Sequence, residues 1–353
     1  MQRRDCTIIG AGPVGLYLAR QLKDFDVRII EEHKEVGKPV QCTGLISTNV
    51  DKVHKVPLDC VLNKVKGARI HSPSGKKLEI RAETEQAYVI DRGLFDKSLA
   101  EGLEVEHGKR ANHLKFNSKY IIGADGPNSA VAQLAGFGEI AEKAPAVQYE
   151  IPIGNYDTEF VEMYFGNNIA PGFFAWIVPT DSRLRVGLAA RDNIKYYLDK
   201  FLNSKIPGAR ILDTQAGVVP LAPRQNFVKG NVALVGDAAG QVKSTTGGGV
   251  YTGMVSAKCL ADAIKQGDLQ KYQNLWKKEL GRDFSFNNRI RRAIGSISDV
   301  EMEKVWDILI RDDVKKMITK YGGMDHPTKL VKGLLRNPKL LRYVPYFMRL
   351  CKQ

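Results

Sequence analysis

The stretch Cys6-Thr-Ile-Ile-Gly10-Ala-Gly12-Pro-Val-Gly15-Leu-Tyr-Leu-Ala-Arg20 decides the fold. Residues 6–9 read as a buried strand, the glycines follow at G-x-G-x-x-G spacing, and a helical pattern runs on to Leu22. A second apolar run at 27–30 ends in Glu31, 21 residues after Gly10. That order is one βαβ unit whose first turn binds a dinucleotide. Gly10 makes the tight turn, Gly12 lets a pyrophosphate approach the backbone, and Gly15 lets helix and strand close up. The helix start offers free N–H groups to the phosphates, and Glu31 accepts hydrogen bonds from the adenosine ribose. Basic residues before the apolar run give the start a likeness to a secretory leader, but the glycine spacing and the lack of a cleavage-like ending favour the strand and helix.

Outward from that unit, residues 70–89 alternate around the turn His71-Ser-Pro-Ser-Gly75 and predict a hairpin. Residues 93–100 predict a helix headed by Arg92, and 120–122 a strand running into Gly123-Ala-Asp125-Gly126. Four alternating segments between 146 and 190, separated by Gly, Asn, Pro and Asp, predict an antiparallel sheet. A buried strand returns at 231–235, and from 254 helical spacing dominates to the end. A length of 353 residues, 43% hydrophobic and 26% charged, suits two folded domains and excludes a disordered chain or a small accessory module.

The net charge of +14 favours contact with something anionic. From 315 to 353 there are ten Lys or Arg against one acid, Asp325, so the last tenth of the chain carries +9 of the +14. Apolar residues interleave those cations at roughly helical spacing, with Leu334, Leu335, Leu340, Leu341, Tyr343 and Phe347 among them. The segment is either a peripheral contact with an anionic membrane or a solvated helical cap; a nucleic-acid partner is not expected. No run reaches the roughly 18 apolar residues that span a bilayer. The five cysteines, Cys6, Cys42, Cys60, Cys259 and Cys351, are scattered and odd in number with no C-x-x-C pair, which points away from a metal centre or disulfide framework and toward a reducing, cytoplasmic setting.

Asn231-Val-Ala-Leu-Val-Gly236-Asp237-Ala-Ala-Gly240, followed by Gly247-Gly-Gly249, resembles the second FAD fingerprint of the para-hydroxybenzoate hydroxylase-like flavoproteins, and Gly123-Ala-Asp125-Gly126-Pro-Asn-Ser129 resembles their middle motif. Within that superfamily two stretches resemble the geranylgeranyl reductase family. Gly37-Lys-Pro39-Val-Gln-Cys42-Thr-Gly44 is similar to its G-x-P-x-x-C segment beside the flavin ring. Pro171-Gly-Phe-Phe174-Ala-Trp176-Ile-Val-Pro179 is similar to its P-x-x-Y-x-W-x-F-P lipid motif, with Phe174 for Tyr and Val178 for Phe.

The resemblance implies a mixed α/β fold: a discontinuous Rossmann-like FAD-binding domain (1–50, 85–140, 225–290), an inserted antiparallel-sheet substrate domain (51–84, 141–224) and a basic helical C-terminal region (291–353). It also implies FAD contacts at Val14, Glu31, Cys42, Thr43, Arg92, Ala111, Asp237, Gly249 and Val250, with Gly10, Gly12, Gly15 and Asp125 supplied by the motifs. Arg92 either reaches the pyrophosphate as a cation or forms a surface salt bridge. Ala111, at the end of a short strand, offers the adenine only backbone. Phe174, Trp176 and Pro179 line a prenyl pocket, and Cys42 is either the proton donor or a small residue lining the flavin.

The implied reaction saturates C=C bonds of geranylgeranyl chains in archaeal-type ether lipids or prenyl precursors, with hydride from reduced flavin N5 and a proton beside it. NAD(P)H and a ferredoxin both stand as reductant. The alternatives are a flavin-dependent monooxygenase or halogenase on the same scaffold, and a non-catalytic prenyl- or nucleic-acid-binding flavoprotein.

Overall fold

In a computed structural model, which describes residues 3–336, the apolar runs of the first unit become adjacent parallel strands, Arg4–Ile9 and Val27–Ile30. Ser118–Gly123 and then Val232–Leu234 extend the parallel sheet on the other side of Arg4–Ile9. Short edge strands, Val228–Lys229 and Val105–Glu106, close it at six strands. Parallel strands are covered on both faces, so they read as continuous apolar runs. Ile8, Ile29, Ile121, Ile122, Ala233 and Leu234 are accordingly buried. The helices Pro13–Gln21 and Val250–Lys265 pack on each other in the same core through residues such as Leu16, Leu18, Met254 and Leu260. Each such fully buried side chain contributes about 1.5–3 kcal/mol.

A second sheet has seven strands in the order Asp213–Pro220, Lys143–Pro152, Arg183–Ala189, Ala175–Pro179, Phe160–Tyr164, Gly67–His71 and Lys77–Arg81. The antiparallel sheet expected between 146 and 190 is its centre, but the whole is mixed, because Phe160–Tyr164 pairs parallel to Gly67–His71. The expected hairpin over 70–89 is shorter. Gly67–His71 pairs with Lys77–Arg81, whereas Ala87–Ile90 is the central strand of a separate three-stranded sheet between Leu45–Ser47 and Val61–Val65. The polar run 82–86 breaks the alternation and lets the chain change sheets.

Side chains alternate faces along a strand. On the seven-stranded sheet Val147, Tyr149, Ile151, Ala175, Ile177 and Val186 meet Leu198, Phe201 and Leu202 of the helix Ile194–Lys205. The opposite face, hereafter the inner face, carries Ala146, Phe174, Trp176 and Ala189 against Ala293, Ile297, Met302 and Trp306 from the region of helices Gly281–Ser296 and Asp299–Leu309.

One local expectation is corrected. Ala111 does not end a strand: the strand is Val105–Glu106, and Ala111 lies in the coil beyond it, yet buried. The long helix begins at Val250, directly after Gly249, as the glycine-rich start predicts.

The glycine turn has the close contacts that its spacing demands. A Cβ at Gly15 would collide with the Gly10 carbonyl oxygen, and one at Gly10, where φ is +103°, with the Ala124 carbonyl. A Cβ at Gly12 would meet nothing within 4 Å. Gly15→Ala is therefore expected to destabilise the fold by about 2 kcal/mol, while Gly12→Ala leaves thermal unfolding close to wild type and acts on ligand affinity instead. Equal melting temperatures for the Gly15 variant and wild type would refute this division of roles.

Candidate active site

At the dinucleotide end, Ala11 N donates to Glu31 Oε2 at 2.7 Å and His33 N donates to Oε1 at 2.9 Å, with His33 Nδ1 2.6 Å from the same oxygen. Glu31 thus fixes the glycine turn and keeps lone pairs for a ribose hydroxyl. His33 was not expected from the sequence, where its sole signal is its place two residues after Glu31. Lys109 N donates to Glu31 O and Gly108 N to His33 O, which brings the coil containing Ala111 alongside. Asp125 behaves differently from a ligand-facing carboxylate. It accepts from Ser129 Oγ at 2.6 Å and Val131 N at 3.0 Å, securing the start of the helix Ala130–Leu134, and its Cα lies against Gly10.

At the other end, Val14 fills the space over Gly236 and Gly253, joining the first helix to the Gly236-Asp237 turn and the Val250–Lys265 helix. Asp237 Oδ1 lies 2.9 Å from where a Gly249 Cβ would stand, so the carboxylate sits at the N-terminus of that helix. Among the described residues no hydrogen bond reaches this carboxylate, and burial pushes it up to about 6, with the Arg92 charge pulling the other way. A partly buried acceptor without a donor at a helix N-terminus is matched by hydroxyl groups of a ligand.

Arg92 forms a fork with Asp96, Nε to Oδ1 at 3.1 Å and Nη2 to Oδ2 at 2.9 Å, the side chains 14% and 5% exposed. It is therefore an enclosed ion pair, not a surface one, and the guanidinium lies near the Cys42 sulfur. Burial opposes the Arg92 charge, but Asp96 and that sulfur outweigh it and hold the group above its ordinary value. Gly44 N donates to Cys42 Sγ at 3.3 Å. Of the described cysteines, Cys6, Cys60 and Cys259 are buried and Cys42 is partly open; Cys351 lies outside the described residues. Thr43 is held through both ends: its Oγ1 donates to Gln148 Oε1 at 2.9 Å and its carbonyl accepts from Arg185 Nη1 at 2.6 Å. Neither Gln148 nor Arg185 stood out in the sequence, since neither belongs to a motif.

The aromatic wall lies beside this segment. Phe173 stacks on Phe174 at 4.3 Å between centroids, Trp176 meets Phe174 edge-on at 6.0 Å, and Phe165 bridges Phe174 and Trp306. Phe173 Cζ is 3.9 Å from the Gly247 Cβ position, so the wall touches the loop that opens the Val250–Lys265 helix. The expected trio divides. Phe174 and Trp176 share the inner face, whereas Pro179, an odd number of residues from Trp176, turns to the other face, pairs with Leu184 and gives its carbonyl to Asn63. Lys243, from the loop before that helix, pairs with buried Asp325 at 2.6 Å and donates to Met324 O.

The open space at Gly12, the unpartnered Asp237 carboxylate and the free helix N-terminus fit an FAD: a pyrophosphate at the first, ribityl hydroxyls at the second and an electron-rich ring edge at the third. The fold and site define a Rossmann-type flavoprotein.

Residues 142–219 match the geranylgeranyl reductase catalytic domain. An uncharacterized protein of Methanocaldococcus jannaschii is 30% identical over 94% of this chain and 95% of its own length. The digeranylgeranylglycerophospholipid reductase of Methanosarcina acetivorans is 30% identical over 86% of this chain and 88% of that protein. The chain belongs to the geranylgeranyl reductase family and is an FAD-dependent oxidoreductase. Its fold is that of a geranylgeranyl bacteriochlorophyll reductase-like protein from Thermoplasma acidophilum, with a TM-score of 0.82, 24% identity and coverage of 98% and 99% of the two chains. It is also that of p-nitrophenol 4-monooxygenase from Pseudomonas putida, with a TM-score of 0.71, 16% identity and coverage of 93% and 98%. Among the described residues no helix is long and apolar enough to cross a membrane, and no group of His, Cys, Asp and Glu could hold a metal ion.

Hydroxyl donors favour the ionised form of Asp237, so FAD affinity is present above about pH 6 and falls as the pH drops through that value. Fluorescence-quenching titrations are expected to show the dissociation constant rising by roughly three- to tenfold from pH 7 to pH 5. Asp237→Asn should bind more weakly with a flatter profile; the same slope in that variant would remove Asp237 from the site.

Proposed function

We propose that the protein saturates C=C bonds of geranylgeranyl chains, on archaeal-type glycerol ether lipids or their prenyl precursors, with Cys42 as the proton donor. The observation that carries this is the place of the Cys42 thiol: it accepts from Gly44 N–H, lies near the Arg92 guanidinium, is partly open, and adjoins the Thr43–Gln148–Trp176 contacts that lead to the aromatic wall. The names of the reductase relatives support the substrate class. Bound reduced FAD supplies the hydride for one carbon of the double bond.

The chain's own residues do the rest. The turn at Gly10–Gly15 and Glu31 hold the dinucleotide, and Asp237 with the Val250–Lys265 helix orients the ribityl and ring end. An isolated alkene is not polarised, so hydride addition needs a proton at the neighbouring carbon; the Cys42 S–H bond breaks toward that carbon and leaves its electron pair on sulfur beside Arg92 and Gly44 N–H. The aromatic wall aligns the chain and excludes water. A proton from solvent then returns to the sulfur through the open side of Cys42, and each bond gains two hydrogens.

The membrane contact belongs to the same reading. Lys316, Lys320, Lys329 and Arg336 are exposed, and no carboxylate pairs with them among the described residues, while Asp325, the one acid of the basic stretch, is turned inward to Lys243. The expected anchors Leu340, Leu341, Tyr343 and Phe347 lie outside the described residues.

Anaerobic mixing of dithionite-reduced holoprotein with a geranylgeranyl glycerol phospholipid is expected to give products heavier by two hydrogens per reduced bond in mass spectrometry. Cys42→Ala should keep its flavin and lose at least about 100-fold in that rate; full activity would assign Cys42 to lining. Replacing Lys316, Lys320, Lys329 and Arg336 by Gln should weaken sedimentation with anionic vesicles, and wild-type binding should fall with salt, because the attraction is screened within about 10 Å at 0.1 M. Salt-independent binding would overturn the electrostatic contact.

A further inference from the structure

We infer that Gln148 and Gly187 are positioning residues that lock the aromatic wall to the proton-donor segment, an inference that rests on the function proposed above. Gln148, Gly187 and Trp176 occupy one row across three neighbouring strands: Gln148 pairs with Gly187, and Gly187 with Trp176. All three lie on the inner face. Glycine at 187 is what lets the outer two meet, because a Cβ there would stand 2.6 Å from Gln148 Cβ and 2.6 Å from Trp176 Cε2. With no side chain between them, the indole leans across the middle strand and its Nε1 donates to Gln148 Oε1 at 3.3 Å.

The same oxygen takes the Thr43 hydroxyl at 2.9 Å. An indole N–H is only a donor, so the atom facing it must be the amide oxygen, and the Gln148 NH₂ is left to face Gln215 Oε1 at 2.7 Å. Gln148 is 4% exposed, so each bond is made in a site where an unmade one is costly. One amide oxygen therefore fixes two things at once: the indole that walls the prenyl chain and the residue next to Cys42. Proton transfer to a particular alkene carbon depends on the distance between thiol and chain, and misplacement by about 1 Å costs on the order of 100-fold. The row sets that distance.

The test compares Gln148→Met, which keeps the volume and loses the acceptor, with Gln148→Glu, which, as the neutral acid that a buried site favours, keeps an oxygen for both donors and an O–H for Gln215 Oε1. On FAD-loaded protein two readouts are taken: the rate of double-bond reduction at saturating digeranylgeranylglycerol phosphate in detergent, and iodoacetamide alkylation of Cys42 followed on its peptide by mass spectrometry. Gln148→Met is expected to keep flavin content, lose at least about tenfold in the reduction rate with little change in KM, and alkylate several-fold faster because the segment is no longer pinned. Gln148→Glu is expected to restore most of both. Should the Met variant not fold, Gly187→Ala, which wedges the two side chains apart, is expected to give the same pair of changes. Wild-type rates of both reduction and alkylation in Gln148→Met, or equal damage in Met and Glu variants, would overturn the inference. If wild type reduces no bond at all, the proposed function fails, and the alkylation rates alone decide whether the row pins the segment.

Discussion

The buried guanidinium of Arg185 joins the three parts from which this site is made. Its Nε donates to Glu150 at 3.0 Å within the seven-stranded sheet, while Nη1 donates to the Thr43 carbonyl at 2.6 Å and to the Ile90 carbonyl, at the end of the three-stranded sheet, at 3.2 Å. Gly44 has to be glycine beside it, since φ is +72° and a Cβ would come within 2.6 Å of Nη1. A buried charge with its partner and carbonyl acceptors in place is tolerated, whereas removal of one member typically costs about 3–5 kcal/mol by leaving the other uncompensated. The position of Cys42 is thus a consequence of a charge pair in the neighbouring sheet. Neither the dinucleotide-binding sheet nor the 37–44 segment could hold the thiol there alone.

What was legible in the sequence was local. The glycine turn, its offset to Glu31 and the Gly236-Asp237 turn before a glycine-rich helix start each place chemistry within a few residues of a strand end, so spacing located the first two and a family resemblance the third. Arg185, Gln148 and Gly187 carry no motif, because their meaning comes from strand pairing between segments far apart in the chain, and no local pattern records which residue stands opposite which. Pro179 is a different kind of miss. Its grouping with Phe174 and Trp176 followed a family pattern, although the two-residue period of a strand already separates 176 from 179. Asp125 was similarly readable as a local turn, with Ser129 four residues on to share its carboxylate.

The inner face of the large sheet is graded. Phe174, Trp176, Met163 and Ile70 make one end apolar beneath the C-terminal helices, Gln148 and Thr43 occupy the middle, and Glu150 with Arg185 make the other end charged. A hydrocarbon chain is favoured at the first end by its burial and refused at the last by the cost of stripping water from charges. The thiol segment lies at the boundary, where a chain can reach it and where charge left on sulfur still finds donors.

A monooxygenase and a brominase fold in the same way at 16% identity, so the scaffold by itself does not choose the reaction. The glycine turn and the Gly236-Asp237 turn answer to the cofactor and are indifferent to what meets its ring. In this chain the face opposite carries a partly open thiol and a wall whose indole is tied to the same segment through one amide oxygen, and the proposed function places the choice there. Because that oxygen is shared, movement of the wall and movement of the proton donor are coupled, and a change on either side is felt by the other without any change in how the cofactor is held.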